Sequence, residues 1–206
     1  RGLFNKSARS DPNWMMGWFI IIGSTPIVAH GLLLEDLIDR EFRNLWVMAI
    51  MLIALGLMLG LAERIGRKAR PIESLTMGHA ILFGFAQACA LVPGVSRSGA
   101  TITMGLMLGY ERRAATRYAF LLAIPAVVGA GIYKLKDIPG GENAYGTMPT
   151  IVGTVVSFAV GMAVIHWLLQ YVSTKSYAPF VNYRVLLGLL VLGLLVTGAL
   201  SAAVAA

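Results

Sequence analysis

Five apolar stretches, each close to 20 residues long, limit the fold of this chain more than any other feature. They cover residues 14–34, 44–62, 114–132, 150–169 and 185–206. About 20 apolar residues are needed for an α-helix to cross a hydrocarbon core of roughly 30 Å. Of the 206 residues, 57% are hydrophobic and 13% charged, which is more apolar side chain than one soluble core of this size can bury. The sequence therefore predicts a single integral membrane domain over residues 1–206, an all-α bundle of membrane-spanning helices.

The basic residues are placed as in a multi-pass membrane protein. The net charge is +7, but its Lys and Arg residues lie mostly in short connections between apolar stretches, so we expect no nucleic-acid partner. Twelve of the 17 fall on one face of the predicted topology and four on the other, with Arg184 counted among the twelve. The positive-inside rule places the larger group in the cytoplasm.

Residues 77–109 depart from the pattern of full spans. Two apolar stretches, 79–92 and 101–109, are each too short to cross a bilayer, and Pro-Gly-Val-Ser-Arg-Ser-Gly separates them. Two half-helices joined by irregular backbone predict a re-entrant helix-loop-helix hairpin, which is stable at membrane depth only where protein or a water-filled cavity satisfies the backbone. The charge distribution predicts that the hairpin enters from the cytoplasm.

Arg97 in this loop is the strongest indication of a functional site. A charged side chain at bilayer depth costs roughly 2.5 to 3.5 kcal/mol on insertion scales. All ten acidic residues lie in or beside connections, so no carboxylate inside a span is available to neutralise it. A guanidinium without a counterion favours an anionic ligand, and its planar fork suits phosphate oxygens.

The neighbours of Arg97 have the residue types of an anion site. Gly94 and Gly99 allow the backbone to turn sharply, and Ser98 is predicted to cap the second half-helix. Ser96 and Thr101 add hydroxyl donors, with Thr101 one turn into that helix. The start of a helix also carries the positive end of its dipole toward a bound anion.

Two alternatives remain open at this loop. Gln87 precedes it by two turns and either lines a ligand cavity or forms a hydrogen bond between helices. A purely structural interpretation has Pro93 break a helix while Arg97 extends to an interface or bonds to carbonyl groups. That interpretation accounts for the proline and glycines but not for an arginine, so the functional hypothesis is favoured.

The segments Gln87–Ile102 and Gly109–Pro125 resemble the second signature of the bacterial undecaprenyl-diphosphate phosphatase family, once called bacitracin-resistance proteins. The resemblance implies the C-terminal portion of an inverted-repeat fold, with the loop in contact with the diphosphate. It implies a catalytic phosphate clamp at Arg97 with Ser96 and Thr101 as hydroxyl partners. We assign substrate binding to the flanking residues Gly94, Ser98, Gly99 and Gln87.

Two other motifs of that family are absent from this chain. They are a Glu-x-x-x-Glu pair and Ser-Ser-Thr-Gly-His, and the segment Ser24-Thr25-Pro26 does not match the latter. We therefore expect the chain to lack the N-terminal part of the family and, alone, to be catalytically incomplete. His79 and His166 are weak candidates for a base. No metal site is predicted within the chain, and a divalent cation, Mg²⁺ or Ca²⁺, held with residues outside it is left open.

The resemblance implies an enzyme that removes the terminal phosphate of undecaprenyl diphosphate. This hydrolase would recycle the lipid carrier for peptidoglycan synthesis, which links it to bacitracin resistance and cell shape, in the bacterial inner membrane. The competing class is a lipid-phosphate flippase or anion transporter that binds phosphate at the same site without hydrolysis. A homodimer is left open. Phosphate release by purified protein separates the two classes.

Overall fold

The chain folds into α-helices. The computed structural model describes residues 12–33, 42, 44–135 and 147–201. Within these ranges the helices are α1 (Pro12–Leu33), α2 (Leu45–Ile65), α3 (Met77–Ala88), α4 (Arg97–Met107), α5 (Arg112–Leu135), α6 (Thr147–Thr174) and α7 (Ala178–Val196), with short 3₁₀ turns at Ile72–Ser74 and Cys89–Leu91. These ranges contain no β-strand. The predicted all-α class is confirmed.

Four of these helices are long and apolar enough to cross a bilayer: α2, α5, α6 and α7. Helix α1 has 22 residues, contains Pro26, and is not one of these four. Helix α6 has no buried residue in its apolar window, so its Val, Phe and Trp side chains face outward. An apolar surface of this extent is suited to lipid.

Helices α3 and α4 form a hairpin whose two ends lie close together. They contain 12 and 11 residues, which at 1.5 Å per residue gives about 18 and 17 Å, too short for either to span a bilayer. The His79 ring at the start of α3 lies 2.7 Å from the Tyr110 hydroxyl just after α4. Both ends of the hairpin are therefore at one end of the bundle, and the connecting loop is at the other end. The re-entrant path through a bilayer stays a prediction.

Helix α4 begins earlier than the sequence indicated. With Ser98 as its predicted cap, the second half-helix would start at Gly99, whereas the observed helix starts at Arg97 because Ser96 caps it. Arg97 is thus the first helical residue rather than part of the loop. The helix ends at Met107 in a Schellman motif, in which Gly109 has φ of +86° and Tyr110 N donates to Gly105 O at 2.9 Å.

Two buried clusters hold the hairpin between the other helices. One contains Phe83 of α3 with Tyr110, Tyr118 and Leu122, and side chains of α1 pack against it. The second joins the side chains of α2, α4, α5 and the α6–α7 turn: Leu59, Ala62, Ile102, Leu106, Ala119, Val172 and Tyr177. The first cluster fixes α3 and the second fixes α4, so the orientation of the loop depends on both.

Small residues allow α2 and α7 to approach closely. A Cβ added to Gly56 would lie 3.2 Å from Val185, and one added to Gly188 would lie 2.6 Å from Ile53. Glycine at both positions therefore permits the close contact of the two helices. Among the described residues, no atom lies within 4 Å of a Cβ added to Gly129 or Gly131.

The last helix differs in its limits from the predicted span at 185–206. It starts at Ala178, where Pro179 occupies the first turn, and it ends at Val196. Gly198, with φ of +72°, follows the C-cap. Arg184 consequently lies inside α7 rather than in a connection, and without it the basic residues are still distributed eleven to four.

Candidate active site

The loop between α3 and α4 packs directly against the backbone of α2. Gly94 has φ of +90°, and a Cβ there would lie 2.4 Å from the carbonyl oxygen of Met48. Glycine is required at this position both for its backbone conformation and for the contact with α2. Met48 is one turn from the start of α2, so the loop lies near the end of the bundle opposite Tyr110.

Ser96 is the N-cap of α4, and the prediction that Ser98 caps it is wrong. The Ser96 Oγ accepts a hydrogen bond from Gly99 N at 3.2 Å, while Ser98 already lies in the first helical turn. As a cap, the Ser96 hydroxyl uses a lone pair and keeps its proton for another acceptor. Ser98 Oγ lies 3.5 Å from Ser96 Oγ, so the two hydroxyls form a pair at the helix start.

The Arg97 guanidinium is half-buried and has no hydrogen-bond or ion-pair partner among the residues that the structure describes. Within the described residues the guanidinium makes no bond to a carbonyl oxygen, and its extension to a membrane interface stays a prediction. Its neighbour Ser96 is exposed. A cation therefore lies beside an accessible hydroxyl and the positive end of the α4 dipole, as the site of a bound anion requires.

Thr101 is fully buried, and its hydroxyl is turned toward the helix backbone. Its Oγ1 lies 2.9 Å from the carbonyl oxygen of Arg97 and 3.1 Å from that of Ser98. In this arrangement the hydroxyl proton is held by the first turn of α4 and the side chain stabilises that turn. A direct contact between Thr101 and phosphate stays a prediction.

Arg184 is a second arginine at the loop that the sequence reasoning missed. It extends from α7, is 8% exposed, and its Nη2 donates to the carbonyl of Gly94 at 2.9 Å. A Cβ on Gly99 would lie 3.0 Å from Arg184 Nη1, so Gly99 leaves the space that this guanidinium occupies. The signal available in the sequence was a lone arginine two turns into a long apolar helix, with no acidic residue nearby.

Gln87 is completely buried near the end of α3. Neither its side-chain oxygen nor its nitrogen has a hydrogen-bond partner. The alternative of a hydrogen bond between helices is therefore not observed in the described residues. A buried amide without partners carries a desolvation cost of about 1–3 kcal/mol, which a bound polar group or water relieves.

The comparison with known families settles the classification. The family model described as "Bacitracin resistance protein BacA" matches residues 1–190. The chain belongs to the bacitracin-resistance protein BacA family. The resemblance inferred from Gln87–Ile102 and Gly109–Pro125 is thereby confirmed.

Curated relatives are similar to this chain over nearly its whole length. A Nocardioides protein is 58% identical over 200 residues, which cover 97% of this chain and 73% of that protein. A Micrococcus luteus protein is 56% identical, covering 94% and 71%, and an Agrobacterium fabrum protein is 54% identical, covering 91% and 67%. The first two are named undecaprenyl-diphosphatase and the third undecaprenyl-diphosphatase 2.

The part of this BacA-family chain that the structure describes places no base against Ser96. The Ser96 hydroxyl contacts only Gly99 N and Ser98 Oγ. His79 bonds to Tyr110 at the far end of the hairpin, and His166 lies 3.0 Å from Gln170 on the outward-facing α6. Within the same ranges no three His, Cys, Asp or Glu residues converge as metal ligands do. The described residues therefore place groups suited to binding an anion at the start of α4, and these contacts identify no group that activates a nucleophile.

Proposed function

We propose that this protein hydrolyses undecaprenyl diphosphate to undecaprenyl phosphate and inorganic phosphate. The observation that most directly supports this function is the Arg97 guanidinium at the start of α4. It is half-buried and has no partner in the described chain. Membership of the BacA family and the names of the relatives support the same substrate. In the net reaction, water adds to the terminal phosphorus and the bond from that phosphorus to the bridging oxygen breaks.

Arg97 binds the diphosphate and stabilises the charge that develops during cleavage. Phosphoryl transfer places negative charge on the equatorial oxygens, and a bidentate guanidinium neutralises two of them. Because the Arg97 guanidinium is half-buried and its backbone is held in the first turn of α4, we expect little reorganisation as the charge develops. The Ser96 hydroxyl donates its free proton to another phosphate oxygen.

The remaining predicted residues support that contact in different ways. Gly94 and Gly99 keep the backbone close to the headgroup, and Ser98 supplies the second hydroxyl at the helix start. Gln87 donates its amide hydrogens to the ligand or to a water that the ligand orders. Thr101 maintains the first turn of α4, from which the groups of this site project.

The transport alternative is not favoured, because the relatives are named as phosphatases and no observation on this chain points to transport without hydrolysis. The protein is a multi-pass membrane protein by its four apolar helices and its family. We propose the bacterial inner membrane as its location, since that is where the undecaprenyl carrier is used.

Phosphate release from purified full-length protein in liposomes tests the proposal. With undecaprenyl diphosphate in the bilayer, we expect one inorganic phosphate for each undecaprenyl monophosphate formed. The matched control is the Arg97→Ala protein at equal density in the same liposomes. Movement of intact diphosphate lipid between leaflets with no phosphate release would contradict a hydrolase and support the transport class.

A further inference from the structure

A second basic site lies at the opposite end of the hairpin from Arg97. A cavity of about 430 Å³ opens between the segment that follows α2 and the end of α4. Two arginines, Arg67 and Arg70, line it together with the apolar side chains of Ile65, Met107 and Leu108. This cavity is distinct from the diphosphate site because Arg67 and Arg70 lie near Gly109, where the hairpin ends.

Backbone hydrogen bonds fix the two arginines around one glycine. The amides of Ala69 and Arg70 both donate to the carbonyl of Gly109, at 2.9 and 3.0 Å. A Cβ placed on Gly109 would lie 3.8 Å from Arg67 Cβ and 4.0 Å from Arg70 Cδ. The stems of both side chains therefore converge on the same point, and glycine keeps the space between them open.

Neither guanidinium has a carboxylate partner in the part of the chain that the structure describes. The nearby Glu63 is paired with Arg112 instead. Among the described residues, the one polar side-chain contact of Arg70 is with His79, whose Nε2 lies 3.3 Å from Arg70 Nη1. Two adjacent cations without a counterion favour a negatively charged ligand.

The order of apolar and basic groups matches the order of groups in a phospholipid. The apolar span of α2 ends at Ile65, which is 63% exposed, and Met107 beside it is 42% exposed. Arg67 and Arg70 follow directly, where the chain leaves the apolar region. Acyl chains would lie against Ile65 and Met107 while a phosphate reaches the arginines, as in basic pockets between helices that bind lipid headgroups.

We propose that this cavity binds the phosphodiester of an anionic phospholipid from the surrounding bilayer. The site does not depend on the phosphatase activity proposed above. Bound lipid would connect the end of α2 to the end of α4, the two segments that are already joined through Gly109. Phosphatidylglycerol is the probe that tests this proposal, with phosphatidylcholine as its zwitterionic counterpart.

Lipid binding to delipidated full-length protein, measured by native mass spectrometry, tests the site. We expect tighter binding of phosphatidylglycerol than of phosphatidylcholine. Arg67→Gln should weaken phosphatidylglycerol binding about fivefold and the Arg67→Gln, Arg70→Gln pair about 25-fold, from about 1 kcal/mol per basic residue. The matched control pair, Arg113→Gln with Arg117→Gln, removes the same charge from exposed positions of α5 outside the cavity. It should change binding less than twofold.

Several results would overturn the proposal. Equal losses in the two pairs would mean that general surface charge attracts the lipid and that the cavity does not. Competition by inorganic phosphate or glycerol phosphate at the concentration of the lipid would indicate a site for free anions. Arg70 also contacts His79, so replacing Arg70 can disturb the end of the hairpin. The single Arg67→Gln variant leaves that contact intact. Normal phosphatidylglycerol binding by Arg67→Gln protein would refute the site.

Discussion

At the scale of single residues, the difference between Arg97 and Arg184 lies in their partners. Arg184 is bonded to the carbonyl of Gly94, whereas Arg97 has no partner in the described chain. A buried arginine bonded to backbone holds a structure together, and an unpaired one is available to a ligand. Arg97 was identifiable from the sequence because a glycine- and serine-rich motif surrounds it. Arg184 was not, because a basic residue near the end of a span also fits a role in membrane orientation.

The two serines beside Arg97 should differ in their effect on stability. Ser96→Ala removes the N-cap of α4, so we expect the free energy of unfolding to fall by about 1 kcal/mol and phosphate release to decrease with it. Ser98→Ala leaves the cap in place and is the matched control for stability, although it also removes a hydroxyl of the proposed binding site. The measurement is the thermal midpoint of each variant in detergent together with its rate of phosphate release. A larger loss of thermal stability in Ser98→Ala than in Ser96→Ala would contradict the assignment of the cap.

At the scale of elements, the hairpin shows what sequence patterns can and cannot predict. Two short apolar stretches separated by Pro93 and glycines were sufficient to predict two short helices and a turn. The start of α4 was misplaced because Ser96 and Ser98 are both suitable caps, and only the backbone geometry distinguishes them. The contact that closes the far end, between His79 and Tyr110, depends on residues 31 positions apart and has no local signal.

The stability of the end of the hairpin where His79 contacts Tyr110 should depend on pH. Burial, together with the charge of Arg70, lowers the pKa of His79 below its usual value of 6.5. His79 is neutral in both folded and unfolded protein at high pH, but as the pH falls through 6.5 the unfolded chain takes up a proton first. We therefore expect the thermal midpoint to decrease between pH 7.5 and pH 5.

The matched control for this pH dependence is His79→Gln, which has no ionisable group at the same position. Its thermal midpoint should vary less with pH than that of the unsubstituted protein over the same range. Identical pH profiles of the two proteins would show that His79 does not contribute.

At the scale of the whole molecule, helix α7 contacts both α2 and the loop between α3 and α4. It packs on α2 through Gly56 and Gly188, and on the same face Arg184 reaches Gly94. Within the described ranges, the approximate positions of the helices followed from the apolar stretches. The pairing of α7 with α2 depended on side-chain fit between helices far apart in sequence, which periodicity does not specify.

Removing the link from α7 should disturb the site without touching Arg97. Arg184→Met leaves the Gly94 carbonyl without its partner, at a cost of about 1–3 kcal/mol. If the loop shifts to give this carbonyl another partner, the groups that bind the diphosphate move with it, and phosphate release should decrease by about 10- to 100-fold. The matched control is Arg113→Met on the exposed start of α5, which should retain normal release. Unchanged release and an unchanged thermal midpoint in Arg184→Met would contradict the role of this link.

The most direct test of the account is the turnover of Arg97→Ala protein in liposomes containing undecaprenyl diphosphate. Loss of a fixed group that stabilises developing charge typically lowers the turnover number by about 10²- to 10³-fold, and we expect a loss of at least that size. Arg113→Ala serves as the control for removal of a basic residue, and equal membrane insertion of both variants is verified first. If correctly inserted Arg97→Ala protein releases phosphate at the rate of the unsubstituted protein, Arg97 does not bind the diphosphate and the proposed site is wrong.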